Sequence, residues 1–225
     1  RELDAVKTVI ESGWLTMGEK TSDFESAFSV FIGNNVKSIA VANCTAALHM
    51  ALIASGVGLG DEVIIPGLTF VADANVVSLC GATPVLADCH SLDDWNVSAE
   101  TIERCITPKT KAVIVVHFAG YPCDMHSISN LCKTKNLKLI EDVAHAPGSS
   151  INDRLCGSWG DFGCFSFFSN KNLSVGEGGM ITTSNDSFYN QLLKLRSHGM
   201  TSLTLDRHKG RAITYDVTEP GLNYR

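Results

Sequence analysis

The chain has 225 residues, enough to bury a substantial core in one domain, and its 44% hydrophobic and 19% charged residues are ordinary for a globular protein. A net charge of −6 with no long basic run argues against a nucleic-acid backbone as partner. It leaves room for a small anionic ligand held locally by backbone amides.

Strand-like apolar runs then alternate with helix-like stretches. Ser38 to Val41 is a short strand-like run that leads through Asn43-Cys44-Thr45 into an Ala-rich helix over Ala46 to Ser55. Glu62 to Ile65 reads as a strand ended by Pro66-Gly67, Phe70 to Leu79 as a helix, and Pro84 to Ala87 as a strand closing on Asp88. Ser98 to Cys105 is the next helix, Lys111 to Val116 the next strand, and Met125 to Thr134 a further helix. Leu137 to Ile140 is a strand closing on Glu141-Asp142. A turn-rich segment, Asn152 to Gly160, precedes the run Gly163 to Phe168; Met180 to Thr183 reads as a strand and Asp186 to Ser197 as a helix. From Thr201 to Arg225 the sequence is polar and irregular. The repeated strand, loop, helix order predicts an α/β fold with a mostly parallel sheet covered on both faces.

The eight cysteines stand at wide, irregular spacings with no CxxC, so the compact zinc and redox signatures are missing. A domain this large needs no disulfides, and reduced thiols in a cytoplasmic protein are expected. No basic-then-apolar leader opens the sequence and no apolar run reaches spanning length, so no membrane partner is expected.

Ligands of α/β sheets sit beyond the carboxyl ends of the strands, and the candidate residues fall there. Free amides at the helix start after Asn43 would suit a phosphate, although Asn43 or Thr45 could be a plain N-cap. No Walker lysine or GxGxxG accompanies them. Asp142 and Glu141 should point to opposite sides of the sheet. Asp142 could pair with a protonated ring nitrogen, with His145 touching another ring atom, or the two could be a capping Asp and a partly exposed His. No third ligand makes a metal site convincing. Lys171 lies between the aromatic run Phe167-Phe168 and Gly176, Gly178 and Gly179. It reads either as a nucleophilic amine or as a surface lysine on a loop.

Taken together, these segments resemble the DegT/DnrJ/EryC1/StrS sugar aminotransferases, which belong to the fold type I pyridoxal phosphate (PLP) enzymes. The resemblance is carried by Gly13-Trp14-Leu15-Thr16 with Gly18, Pro66-Gly67-Leu68-Thr69-Phe70, Gly81-Ala82-Thr83-Pro84-Val85, and Glu141-Asp142 with Ala144-His145-Ala146. It is strongest over Gly160-Asp161 to Lys171-Asn172-Leu173 and Gly176-Glu177-Gly178-Gly179, and extends to Gly221 to Arg225. It implies the three-layer α/β/α large domain of a PLP-dependent transferase. Lys171 would hold PLP as a Schiff base and move the reacting proton. Asp142 would pair with the pyridine nitrogen, Phe70 would stack on the ring, and His145 would sit beside it. Ser166, Thr45 and the Cys44 amide would hold the phosphate. Asn223 would reach the phosphate of a neighbouring subunit, which implies a homodimer with shared sites. The implied reaction moves an amino group from an amino acid, glutamate by resemblance, to a nucleotide-linked keto sugar; a PLP-binding relative with a regulatory or non-transaminating role is the alternative. A family branch of dehydratases carries histidine in place of the lysine, which Lys171 argues against. Two departures stand out. Cys44 occupies a place where the family commonly has glycine. The family also continues after the Asn223 motif, so residues 1–225 are expected to be a large-domain fragment lacking the small C-terminal domain and the extreme N-terminus.

Overall fold

A computed structural model describes residues 1–33, 35–202, 206, 208–210 and 212–225. Within the irregular tail, residues 203–205, 207 and 211 lie outside the described residues. Two helices precede the first strand, α1 (Glu2–Ser12) and α2 (Glu19–Ile32). The strand-based reading assigned nothing there, yet Phe24, Phe28 and Phe31 mark helical spacing, and Phe28 and Ile32 are buried.

The elements continue in chain order. They are β1 (Lys37–Val41), α3 (Cys44–Ala54), β2 (Glu62–Pro66), α4 (Ala72–Leu79), β3 (Thr83–Ala87), α5 (Ala99–Glu103) and β4 (Thr110–Val116). After them come α6 (Met125–Lys135), β5 (Lys138–Asp142), β6 (Ser150–Ile151), β7 (Arg154–Leu155), β8 (Phe162–Ser166), β9 (Gly179–Thr183) and α7 (Asp186–Arg196). Local chemistry sets the boundaries. Helix α5 starts one residue later than its sequence suggested because Ser98 is its N-cap and forms a reciprocal capping box with Thr101, and it ends at Glu103. Helix α6 is capped by Asp124 and closed by Asn136 in the left-handed region, at φ 54°. The turn-rich segment after β5 contains the small hairpin β6–β7, with Asn152 and Asp153 at its left-handed turn. Helix α4 begins two residues later than expected, which leaves Phe70 in the loop.

The seven-stranded sheet has the order β1-β9-β8-β5-β4-β2-β3. Strands β2 and β3, β2 and β4, β4 and β5, and β5 and β8 pair in parallel, whereas β9 is antiparallel to both β8 and β1. All strands of this sheet except β9 therefore run in one direction, and their carboxyl ends open on one edge. The central strands are buried on both faces. Val63, Ile65, Ala112, Ile114 and Ile140 pack with the layer of α3, α4 and α7. Their neighbours Ile64, Val113, Val115 and Leu139 pack with α5 and α6. Helix α2 joins the second layer by packing Phe28 and Ile32 on Phe165, Phe167 and Met180. The result is the expected three-layer α/β/α arrangement.

Candidate active site

The carboxyl edge of the sheet carries a cavity of about 450 Å³, within the range of small-molecule sites. Strand β1 delivers the chain to Asn43, whose side chain caps α3 by accepting from the Ala46 amide at 2.8 Å. The cap takes the third amide of the helix. Among the described residues no acceptor is found for the amides of Cys44 and Thr45, so two N–H groups at the positive end of α3 remain free at the cavity wall. Gly179, the first residue of β9, lies between Val41 and Ser166 and packs against this turn. A Cβ there would fall 2.5 Å from the carbonyl carbon of Asn43, so only glycine permits that approach.

Strand β5 separates the two acids at its end. Glu141 points toward the α6 layer and is fully buried. It accepts the amides of Trp159 and Gly160 on Oε1 and that of Gly157 on Oε2. His117 Nδ1 accepts from the Cys123 amide, so its Nε2 carries the hydrogen and donates to Glu141 Oε2 at 3.1 Å. Asp142 points the other way, toward α3 and the cavity. Its Oδ1 accepts from the Ala144 amide at 2.8 Å and lies 3.8 Å from Cys44 Sγ. Among the described residues no protein group bonds its Oδ2. Burial pushes the Asp142 carboxyl above its ordinary range, while the Ala144 amide, His145, His117 and Lys171 pull it down.

Lys171 lies in the long loop between the antiparallel strands β8 and β9. The loop is pinned where Phe167 donates to Gly178, Val175 donates to Phe167, and the Lys171 amide donates to Phe168. This half-buried lysine lines the cavity, and its charge reaches Asp142, His145 and Cys44. His145 stands at the mouth. Loss of water on its inward side lowers its pKa, as does Lys171, while Asp142 raises it. Ser166, at the end of β8, is buried with its side chain on the cavity. Phe70 is 72% exposed at the opening.

Seven of the residues singled out in the sequence thus line one cavity: Cys44, Thr45, Phe70, Asp142, His145, Ser166 and Lys171. Asn223 does not line it. It is exposed and bridges to Ser197, and the next residue, Tyr224, accepts from the Ala42 amide through its carbonyl. Asn223 therefore lies near the start of α3, outside its own cavity. Sequence reasoning missed Thr69, Asn170 and Glu177 on the walls, and Asp73 beneath them. Asp73 is fully buried; its Oδ2 accepts the Thr69 hydroxyl and its Oδ1 has no partner among the described residues. Asp73 stands in the first turn of α4, four residues after Thr69, but α4 also carries Asn75 and Ser78, so polarity alone did not mark it.

The sequence profile described as the DegT/DnrJ/EryC1/StrS aminotransferase family matches residues 1–225. The chain belongs to this family. Solved structures agree. An aminotransferase from Psychrobacter cryohalolentis is 36% identical with a TM-score of 0.90, over 100% of this chain and 57% of that one. A protein assigned as a sugar aminotransferase from Streptococcus pneumoniae, solved in its PLP form, is 32% identical with a TM-score of 0.88, over 98% and 59%. Helicobacter pylori PseC, an aminotransferase of pseudoaminic acid biosynthesis, is 29% identical with a TM-score of 0.88, over 99% and 58%. The chain thus spans under three-fifths of the length of these relatives. Among the described residues no helix is long and apolar enough to cross a membrane.

Proposed function

We propose that this chain is the PLP-binding large domain of an aminotransferase that moves an amino group from an amino acid, glutamate by family resemblance, to a nucleotide-linked keto sugar. The observation that carries the reading is one cavity holding an amine, a carboxylate oxygen without a protein partner, and two free helix amides. The relative solved with PLP and the relative of pseudoaminic acid biosynthesis support the cofactor and the sugar class.

The residues fit PLP by the chemistry of their donors and acceptors. The amides of Cys44 and Thr45, with the Thr45 and Ser166 hydroxyls, suit a phosphate at the positive end of α3. The free Oδ2 of Asp142 suits a protonated ring nitrogen, and burial strengthens that pairing. Phe70 suits one ring face, and His145 stands at the rim beside it. When bound, the cofactor serves as the electron sink for the bonds at the substrate's amine-bearing carbon. Lys171 Nζ would anchor the cofactor covalently and, once freed, its amine would carry the proton between the substrate's amine-bearing carbon and the cofactor. Asp142 keeps the ring nitrogen protonated throughout. Asn223, outside its own cavity and near α3, is read as a contact to the phosphate of a second subunit in a homodimer.

The test is spectroscopic. Full-length protein mixed with PLP is expected to give the visible absorption of lysine-linked cofactor, and Lys171→Ala is expected to abolish it. An unchanged spectrum in that variant would overturn the assignment.

A further inference from the structure

We propose that the Cys44 thiol is a positioning residue: it donates its hydrogen to Asp142 Oδ1, so that Oδ2 is the oxygen turned to the ligand. Three observations lead there. Cys44 is the first residue of α3, and its amide and side chain serve different ends of the cavity. The amide faces the anion end, while Sγ lies 3.8 Å from Asp142 Oδ1, within reach of a sulfur hydrogen bond. Among the described residues this carboxylate is the one acceptor found for the thiol. Oδ1 also accepts from the Ala144 amide, so two donors from two different elements fix one oxygen and leave the other free.

The surroundings keep the thiol a donor. Burial first, and then the Asp142 charge, push its pKa well up, so the sulfur keeps its proton under ordinary conditions. The groups facing Asp142 are Cys44 from α3, Asp73 from α4, Cys164 from β8, His117 after β4, His145 after β5 and Lys171 from the β8–β9 loop. Asp73 and Cys164 are buried, and burial raises the pKa of both, which favours their neutral forms and keeps negative charge away from Asp142. Lys171, and His145 when protonated, act on it through their charge. The Ala144 amide and the Cys44 thiol are the hydrogen-bond donors found on its oxygen, and of these two only the thiol can be changed by substitution without touching the backbone.

The test has one arm that needs no cofactor. In ligand-free full-length protein, the infrared difference between wild type and Cys44→Ala isolates the S–H stretch of Cys44. It is expected at the low frequency of a thiol bonded to a carboxylate, and it should rise to that of a free thiol in Asp142→Ala. The second arm rests on the PLP reading and measures PLP affinity across pH for Cys44→Ala and Cys44→Ser. The alanine variant is expected to bind about threefold more weakly, the size of one weak donor to a charged acceptor. Its affinity should also fall away at higher pH on the acid side, because Asp142 loses a donor to its ionised form and its pKa rises. The serine variant, whose hydroxyl oxygen lies nearer Cβ than the sulfur and so farther from Oδ1, should bind no more tightly than wild type. A free-thiol frequency in the wild type, or an alanine variant with unchanged PLP affinity and an unmoved acid limb, would overturn the proposal. Absence of PLP binding in the wild type would instead refute the cofactor reading and leave the infrared arm to decide the thiol's role.

Discussion

Replacing Glu141 by Gln should cost about 3–5 kcal/mol of folding stability, although Glu141 lies outside the cavity. The side chain is fully buried and has four donors arrayed on its two oxygens. Oε1 receives the Trp159 and Gly160 amides at 2.7 and 2.8 Å, and Oε2 receives the Gly157 amide at 2.8 Å and His117 Nε2 at 3.1 Å. Glutamine supplies one acceptor oxygen and one NH₂ group. Whichever way it turns, its NH₂ faces two donors. His117 cannot relieve the clash by moving its hydrogen to Nδ1, because that nitrogen accepts from the Cys123 amide. Two bonds to a charged acceptor are lost at about 1.5–3 kcal/mol each, offset in part by relaxation of the 157–160 turn. That loss is a large share of a typical domain's 5–15 kcal/mol. Urea unfolding of the full-length protein, with the slope checked against wild type, measures it. A loss under about 1 kcal/mol would show that water or backbone shifts satisfy these amides, and would refute the network as the clamp on the end of β5.

Three further outcomes follow from the cavity. Asp142→Asn should keep part of the PLP affinity but lose most turnover, since an amide does not hold the ring nitrogen protonated; near-normal kcat in a single-turnover assay would defeat that role. Gly179→Ala should remove PLP binding, because the new methyl group would lie 2.5 Å from the Asn43 carbonyl carbon and push the α3 amides away; equilibrium dialysis against PLP reads the loss, and unchanged affinity would count against the phosphate site. Burial and Asp142 raise the Asp73 carboxyl well above its ordinary value, so the fold holds a proton there that the unfolded chain has released. Stability of ligand-free protein should therefore fall as pH rises above the ordinary aspartate value toward the folded one. Asp73→Asn should flatten that fall at pH values above the ordinary aspartate range, and identical slopes in urea midpoints would show that Asp73 does not carry the proton.

The layered architecture was readable because the central strands are buried on both faces. Ala112 to Val116 is an apolar run with no polar face, which a sheet covered on both sides accommodates. The first two helices escaped a strand-based reading. None of the residues of α1 is buried, so the helix leaves no core signature of its own in the sequence. The β6–β7 hairpin escaped because its strands have two residues each, too short for alternation to register.

The cavity residues were legible for a different reason. Asn43 and Asp142 each stand where a strand hands over to a loop, a junction visible as a change from apolar to polar sequence, whereas Phe70 and Ser166 were indicated by the family resemblance alone. Whether such junctions share an edge depends on strand direction, which apolar patterning does not encode. Strand β9 decides it. By running against both β1 and β8, it leaves these two parallel to each other, and so brings the Asn43 turn and Ser166 to the same edge as Asp142. The same reversal forces the β8–β9 connection to be a loop at that edge rather than a crossover helix, and Lys171 sits on it. Thr69, Glu177 and Asp73 were not legible. The two wall residues become neighbours only once those loops converge, and Asp73 enters a helix that also carries the polar Asn75 and Ser78, so one more polar residue does not stand out as buried.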